Sequence, residues 1–246
     1  MGMGLQAVIL AAGQGKRLLP LTREVPKSLL TLSVQGPSIL EFQVEQLRRL
    51  GVDDLVVVVG HGKERVFATL GDGVRYVENP RYLTTNSIYS FWLARGLLGE
   101  DVLILNGDVV FHPKVVRELL GSARDAVLSV DTQAVLDEET MKVRLEGERV
   151  VEISKELDPS RAHGENLGLV RFSGDGLVLL KRTVEAMVEE GEVNRWIPAA
   201  FQRMLALHPV YAVDVRGLPW IEIDFEEDLV RAREEVFLRI LEDTEP

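Results

Sequence analysis

Val8 to Leu30, VILAAGQGKRLLPLTREVPKSLL, constrains this chain more than any other stretch, because it joins an apolar run to two close glycines and a set of cations. Val8, Ile9 and Leu10 read as a buried strand. Gly13 and Gly15 end it, since glycine tolerates backbone dihedrals that a Cβ forbids. The amides of such a turn face whatever lies above the strand, and an anion is what they bind best. Lys16, Arg17 and Lys27 add positive charge, so the stretch reads as a phosphate site.

Two better-known glycine loops do not fit. A Walker loop requires G-x-x-x-x-G-K-[ST], but Arg17 follows Gly15 and Lys16, and Leu10 stands where the first glycine should. The dinucleotide fingerprint G-x-G-x-x-G accepts Gly13 and Gly15, yet its last position falls on Leu18, and Pro20 stops any helix soon after. What fits is L-A-A-G-x-G-x-R-L-x-P-L-T over Leu10 to Thr22, followed by Pro26, Lys27, Ser28 and Leu29. In these residues the chain resembles the nucleotidyltransferases that make NDP-sugars and CDP-alcohols from a nucleoside triphosphate and a phosphorylated acceptor.

The resemblance implies a Rossmann-like fold of the nucleotide-diphospho-sugar transferase type and a set of roles. Leu10, Ala11, Ala12, Gly13, Gln14, Gly15 and Lys16, with Asn79, Asn86, Ser87 and Gly107, are implied to bind the nucleotide. Arg17, Lys27, Asp108 and Asp224 are the implied catalytic residues, with Asp108 and Asp224 holding Mg²⁺. Lys155, Glu165, Gly168, Trp196 and Glu222 are implied for the acceptor. Read from the residues alone, Asp108 follows the DVLIL strand and stands at its carboxyl end beside the phosphate loop. Two carboxylates suit a hard divalent cation. Asp224, with Glu227 three residues on, is also a good helix N-cap, and capping need not exclude a metal. An attacking phosphate monoester, with a second pKa of about 6, needs no general base. Consistently, His61, His112, His163 and His208 are scattered and form no catalytic spacing.

The branch shows after the third expected strand. Glu78 to Gly96, ENPRYLTTNSIYSFWLARG, is similar to the cytidylyltransferases of phosphocholine, inositol 1-phosphate and aminoethylphosphonate, with Asn79, Tyr82, Asn86 and Ser90 matching. That makes CTP the implied donor, with Asn86 and the amides near Ala12 as base readers. Val109 stands where sugar enzymes commonly carry Asn, and VNRWIPAAF replaces the acidic, aromatic segment of some phosphocholine enzymes, so the acceptor stays open. Tyr82, Trp92, Trp196 and Trp220 are candidates for an aromatic cage, though scattered aromatics more often serve a core. The alternatives are a sugar-1-phosphate uridylyl- or thymidylyltransferase and a non-catalytic nucleotide-sensing relative.

Composition bounds the rest. The 246 residues suffice for a single globular unit, with a nucleotide-binding half over about 1–130 and an acceptor-binding half over about 131–246. A net charge of −11 argues against nucleic acid as a partner and makes the cationic loop a local exception. The absence of cysteine excludes disulfides, thiolate zinc sites and a cysteine nucleophile. No apolar run approaches the roughly twenty residues of a membrane span, so the expected location is the cytoplasm. Oligomeric state is not legible.

Along the chain, a helix is expected from Ser38 to Leu50, opened by a Ser38–Glu41 capping box, then a continuous apolar strand at Leu55–Val59. Further strands are expected at 74–77, 101–105 and 126–130, with helices at 85–98 and 113–120 between them. This alternation builds a doubly wound α/β sheet, mixed but mostly parallel. From Met141 the rhythm changes to a hairpin about Glu146–Glu148, expected as an acceptor-binding lobe built into the same sheet. A strand at 167–172, helices at 175–190 and 195–205, a strand at 210–215 and a closing helix from Asp224 to about Leu241 complete the reading.

Overall fold

The computed structural model describes residues 4–244. Strand β1 (Gln6–Leu10) lies inside the sheet because both its faces are apolar: Ala7 and Ile9 pack on one side, Val8 and Leu10 on the other. Strands β2 (Asp54–Val59) and β3 (Arg75–Glu78) add in parallel on one flank, and β4 (Asp101–Asn106) on the opposite flank. A crevice opens at the carboxyl ends of strands where the order reverses in this way. The register pairs Leu10 with Asn106, so the glycine turn after β1 and the turn carrying Asp108 leave the sheet side by side.

Helix α1 (Ile39–Arg49) begins with the expected capping box: Ser38 Oγ accepts from Glu41 N–H at 3.3 Å, and the Glu41 carboxylate accepts from Ser38 N–H at 2.9 Å. Helix α2 (Lys63–Leu70) has no counterpart in the sequence reading, since it starts from Gly62 in a left-handed conformation without a side-chain cap. Helix α3 (Ser87–Ala94) stops short of Leu98 in a 3₁₀ turn. A short strand β5 (Val109–Phe111) follows Asp108, then α4 (Pro113–Gly121) and β6 (Ala126–Asp131).

Strands β7 (Lys142–Glu146) and β8 (Arg149–Ser154) form the expected hairpin, followed by β9 (Gly164–Ser173), α5 (Gly174–Glu189), α6 (Pro198–Met204) and β10 (Val210–Asp214). The hairpin joins the main sheet, whose nine strands run β3-β2-β1-β4-β9-β6-β10-β8-β7. Strand β9 is antiparallel to both β4 and β6, so the second half holds more antiparallel pairing than expected. Both β8 and β9 are antiparallel to β7, so β9 runs in the direction of β8 and against β4 and β6. Helices α3, α5 and α6 cover one face of the sheet, and α1, α2 and α4 the other. Among the described residues no helix is long and apolar enough to cross a membrane.

The chain closes with β11 (Trp220–Glu222), antiparallel to β5, and α7 (Glu226–Arg231), which runs through a π-helical turn into α8 (Phe237–Thr244). Asp224 is not the cap of this last helical stretch, contrary to expectation. Asp228 accepts from the N–H groups of Asp224 and Phe225 at 3.0 and 2.9 Å, leaving the Asp224 carboxylate for other partners.

Two features hold the turn after β4. Gly107 lies so close to β1 that a Cβ would stand 2.8 Å from Ala11 Cβ and 3.0 Å from the Leu10 carbonyl oxygen. Gln43, fully buried on α1, donates from Nε2 to the carbonyls of Asn106 and Val109 at 2.8 Å each, while its Oε1 has no partner. Two bonds of roughly 1 kcal/mol each against an unmatched buried acceptor costing about 1–3 kcal/mol leave the amide close to neutral for stability. Gly107→Ala, by contrast, is expected to lower unfolding free energy by about 1–3 kcal/mol through overpacking, read as an earlier urea midpoint at unchanged slope. An unshifted midpoint would mean that β1 and the turn are not locked together.

Candidate active site

The geometry starts from Gly15. Its φ of 69° is left-handed, and a Cβ there would meet Lys27 Cβ at 2.9 Å, so only glycine lets the loop lie along the lysine stem. Thr22 holds the loop's far side by donating from Oγ1 to the Gly15 carbonyl at 2.7 Å. Lys27, 9% exposed, then reaches beneath the loop and donates from Nζ to Asp108 Oδ2 at 2.8 Å and to Asp224 Oδ1 at 2.6 Å. The two acids, remote in sequence, meet because β5 and β11 pair Val109 with Glu222 and Ile223 N–H donates to the Asp108 carbonyl at 3.0 Å.

Glu222 completes the group: one carboxylate oxygen from each of Asp108, Glu222 and Asp224 lies within 4.8 Å of the others. Burial works against the Lys27 ammonium, but Asp108 and Asp224 outweigh it and hold the group above its ordinary value. Burial likewise opposes the Asp224 carboxylate, and Lys27 followed by Arg17 brings it below the usual range. Glu222 goes the other way, pushed up to about 8 by burial and by the charges of Asp108 and Asp224. Asp108 Oδ1 is buried with no hydrogen-bond partner, a hard oxygen aimed at nothing the protein supplies. Three close carboxylates with an orphaned oxygen fit Mg²⁺.

An open cleft of about 930 Å³ runs from this cluster across both halves of the chain. Leu10, Ala12, Gly13 and Arg17 line it from the loop, and Asn79, Asn86 and Ser87 from the entry to α3. Lys155, Trp196 and Glu222 line it from the second half. Ala11 is buried below the loop, Lys16 is exposed, and Gln14 is half-buried. Gly168, with φ of 77°, abuts the Asn106 side chain, and neither Gly107 nor Gly168 faces the cleft. Glu165 lies in the neighbouring acidic cavity, where burial and the charges of Asp137 and Asp131 push it up to about 7.

Asn79 is already spent on structure: Nδ2 donates to Thr85 Oγ1 and Ser90 Oγ at 3.1 Å, and Oδ1 accepts from Arg81 N–H. It orders the hydroxyls of Thr85 and Ser90, both of which line the cleft. Asn86 caps α3 through Oδ1, and the backbone N–H groups of Asn86 and Ile88 donate to the carbonyls of Val193 and Arg195, which fixes the segment bearing Trp196. Lys155 Nζ sits 4.8 Å above the Trp196 ring. Of the four aromatics considered for a cage, Tyr82 and Trp196 line the cleft. Trp220 instead donates to Asp131, and Trp92 stacks on Tyr89.

Several residues here had no distinguishing sequence signal. Glu139, on an exposed loop, meets Arg17 at 3.0 Å and Lys155 at 3.5 Å, and Phe225 carries the Arg17 guanidinium 4.8 Å above its ring. Asn166 lines the cleft with Oδ1 buried and unmatched. The four histidines make local contacts away from the cleft: His61 with Thr22 O, His112 with Lys114 N–H, His163 with Leu145 N–H and His208 with Asp125.

A model of the MobA-like NTP transferase domain matches residues 7–138. This chain belongs to that family. The match takes in Arg17, Lys27 and Asp108 and stops before the second-half residues of the cleft. The "Bifunctional IPC transferase and DIPP synthase" of Rubrobacter xylanophilus is 37% identical over 241 residues, covering 96% of this chain and 52% of the relative. The choline-phosphate cytidylyltransferase of Streptococcus pneumoniae is 35% identical over 129 residues, 52% of this chain and 55% of the relative. In each case the aligned part is about half of the relative's length. Among solved structures, the inositol-1-phosphate CTP transferase from T. maritima superposes with a TM-score of 0.76 at 25% identity, covering 94% of this chain and 97% of that one. The fold is that of the nucleotide-diphospho-sugar transferases.

The raised Glu222 gives a pH test. Its folded-state value of about 8 stands above the ordinary 4.5, so the folded state holds this proton more tightly, and stability is lost as pH rises from 4.5 through 8. With a chelator present, Glu222→Gln is expected to unfold at a higher temperature than the wild type at pH 8, with the gap closing toward pH 5. A gap that is equal at both pH values would remove Glu222 from the charged cluster.

Proposed function

We propose that this chain is a Mg²⁺-dependent nucleotidyltransferase that transfers CMP from CTP to a small phosphorylated alcohol, of the phosphocholine or inositol 1-phosphate type, with release of pyrophosphate. The observation that carries the reading is the meeting of Asp108, Asp224 and Glu222 around Lys27, directly beside the cationic glycine turn and at the floor of a cleft lined by both halves. Similarity to the Streptococcus pneumoniae choline-phosphate cytidylyltransferase and the T. maritima inositol-1-phosphate CTP transferase supports the cytidylyl and phosphorylated-alcohol parts of the proposal.

In the reaction, an oxygen of the acceptor phosphate forms a bond to the α-phosphorus of the triphosphate as the bond from that phosphorus to the bridging oxygen breaks, and pyrophosphate leaves with the electron pair. Asp108 and Asp224 would hold Mg²⁺, which would supply a hard positive charge to the phosphate oxygens. Lys27, kept protonated by the same carboxylates, stands ready to donate to the α-phosphate. Arg17 and the amides of the loop take the triphosphate tail, for which Arg17 exchanges the Glu139 carboxylate. Lys155 offers the acceptor phosphate a second cation from the opposite wall. Catalysis is then positioning plus charge neutralisation, with no proton to remove.

The test is pyrophosphate release with Mg²⁺ across the nucleoside triphosphates, each against phosphocholine, inositol 1-phosphate, aminoethylphosphonate and glucose 1-phosphate. CTP with one of the alcohol phosphates is expected to give the highest kcat/KM. Turnover confined to glucose 1-phosphate with UTP or dTTP would move the chain to the sugar branch, and tight binding without turnover would make it a sensor. Asp108→Ala is expected to lower kcat by roughly 10²–10³-fold or more while the circular dichroism spectrum is kept. Near-normal rates in that variant would remove the metal assignment.

A further inference from the structure

Gln43 lies outside the cleft, on the buried face of α1, and touches the site only through the turn behind it. Its Nε2 donates to Asn106 O and Val109 O, the two carbonyls that bracket Gly107 and Asp108. A carbonyl oxygen can only accept, so both demands fall on the amide nitrogen, which fixes the amide's orientation and sends Oε1 into a place where it has no partner. A side chain there for packing alone would not carry that unmatched oxygen. The direction in which the Asp108 carboxylate leaves the turn depends on the backbone of residues 107–108, and Gln43 ties both ends of that segment to a rigid helix.

We propose that Gln43 is a positioning residue for the reaction, the clamp that fixes the turn from which Asp108 reaches Asp224 and the cation between them. The proposal rests on the metal reading of Asp108 given above. Leu10 O, receiving the Gly107 N–H, and Ile223 N–H, donating to Asp108 O, hold the turn from the sheet side, and Gln43 holds it from the helix side. Groups that hold metal-bound carboxylates from behind change metal affinity or activity by about 10–100-fold when removed.

Gln43→Met keeps volume and removes both donors, and Gln43→Asn keeps an amide too short to span both carbonyls. Three measurements decide: thermal midpoint, hydrogen exchange at the amides of Gly107 and Ile223, which bond to Leu10 O and Asp108 O, and Mn²⁺ affinity by electron paramagnetic resonance, with Asp108→Ala alongside. The expected result is a folded protein whose midpoint falls by about 3–10 °C, since the variant leaves the Asn106 and Val109 carbonyls without their donor while relieving the unmatched oxygen. Exchange at the two amides should quicken about tenfold or more, and Mn²⁺ binding should weaken by about tenfold. A folded variant with both quantities within about twofold of wild type overturns the proposal. So does failure of both variants to fold, which would make the amide a stability element. If wild type binds Mn²⁺ no better than Asp108→Ala, the metal reading fails on its own, and the exchange rates still decide whether Gln43 clamps the turn.

Discussion

Lys27 between Asp108 and Asp224 is the contact on which the rest of the site depends. Three segments distant in sequence end at this ion pair: the loop after β1, the turn after β4 and the residues after β11. A lysine in so buried a place loses much of its hydration, and only paired, hydrogen-bonded carboxylates make that tolerable. The ammonium therefore does what a bound cation would do, cancelling the repulsion of acids brought together for another purpose. Glu222, a third carboxyl in the same group, has no cation left for it and takes up a proton instead.

The structure supplies that meeting point through an economy of strands. Leu10 and Asn106 are partners in the parallel ladder, which brings the glycine turn and Asp108 side by side. Asp224 needs more, because it comes from the end of the chain. The small β5–β11 ladder carries it in, and Asp228 takes over the capping duty that the position would otherwise demand. The third hydrophobic cluster, joining Leu18, Leu30 and Phe42 to Ile221, Ile223 and Phe237, is what holds the closing helices against the loop. Each fully buried side chain of that size is worth about 1.5–3 kcal/mol, ample to keep a three-residue strand in place.

Much of this was legible because local chemistry and global fold agree. The glycine turn, the capping box at Ser38 and the apolar strands of the first half each carry a signal that tertiary packing does not override. What escaped had no such signal. Helix α2 begins at a left-handed Gly62 without a capping side chain, and β5 is three residues long and follows its neighbour at once. The sequence places strand β9 but not its direction, because direction depends on which strands it pairs with and not on its own residues. The capping that the sequence also allows at Asp224 is done by Asp228, which stands one residue beyond Glu227 and accepts from Phe225 N–H. Gln43 did carry a clue: it shares a helix face with Leu40 and Leu47, where a polar residue is out of place. Glu139 and Asn166 carried none, since a surface glutamate and a strand asparagine are unremarkable until the chain is folded.

The dual pairing of β9 bears on how substrates enter. Residues 169–173 form a ladder with β4 of the first half, and Gly164 and Glu165 with β7 of the second, while β6 runs along the other edge. One strand is thus shared by both walls of the cleft, and rigid separation of the walls would have to break its ladder. On the proposed function, a nucleoside triphosphate would enter past the parts outside this ladder, the Glu139 segment and the long side chains of Arg17 and Lys155. With β9 woven into both sides, the enclosure is built as a trough and not as a pair of jaws.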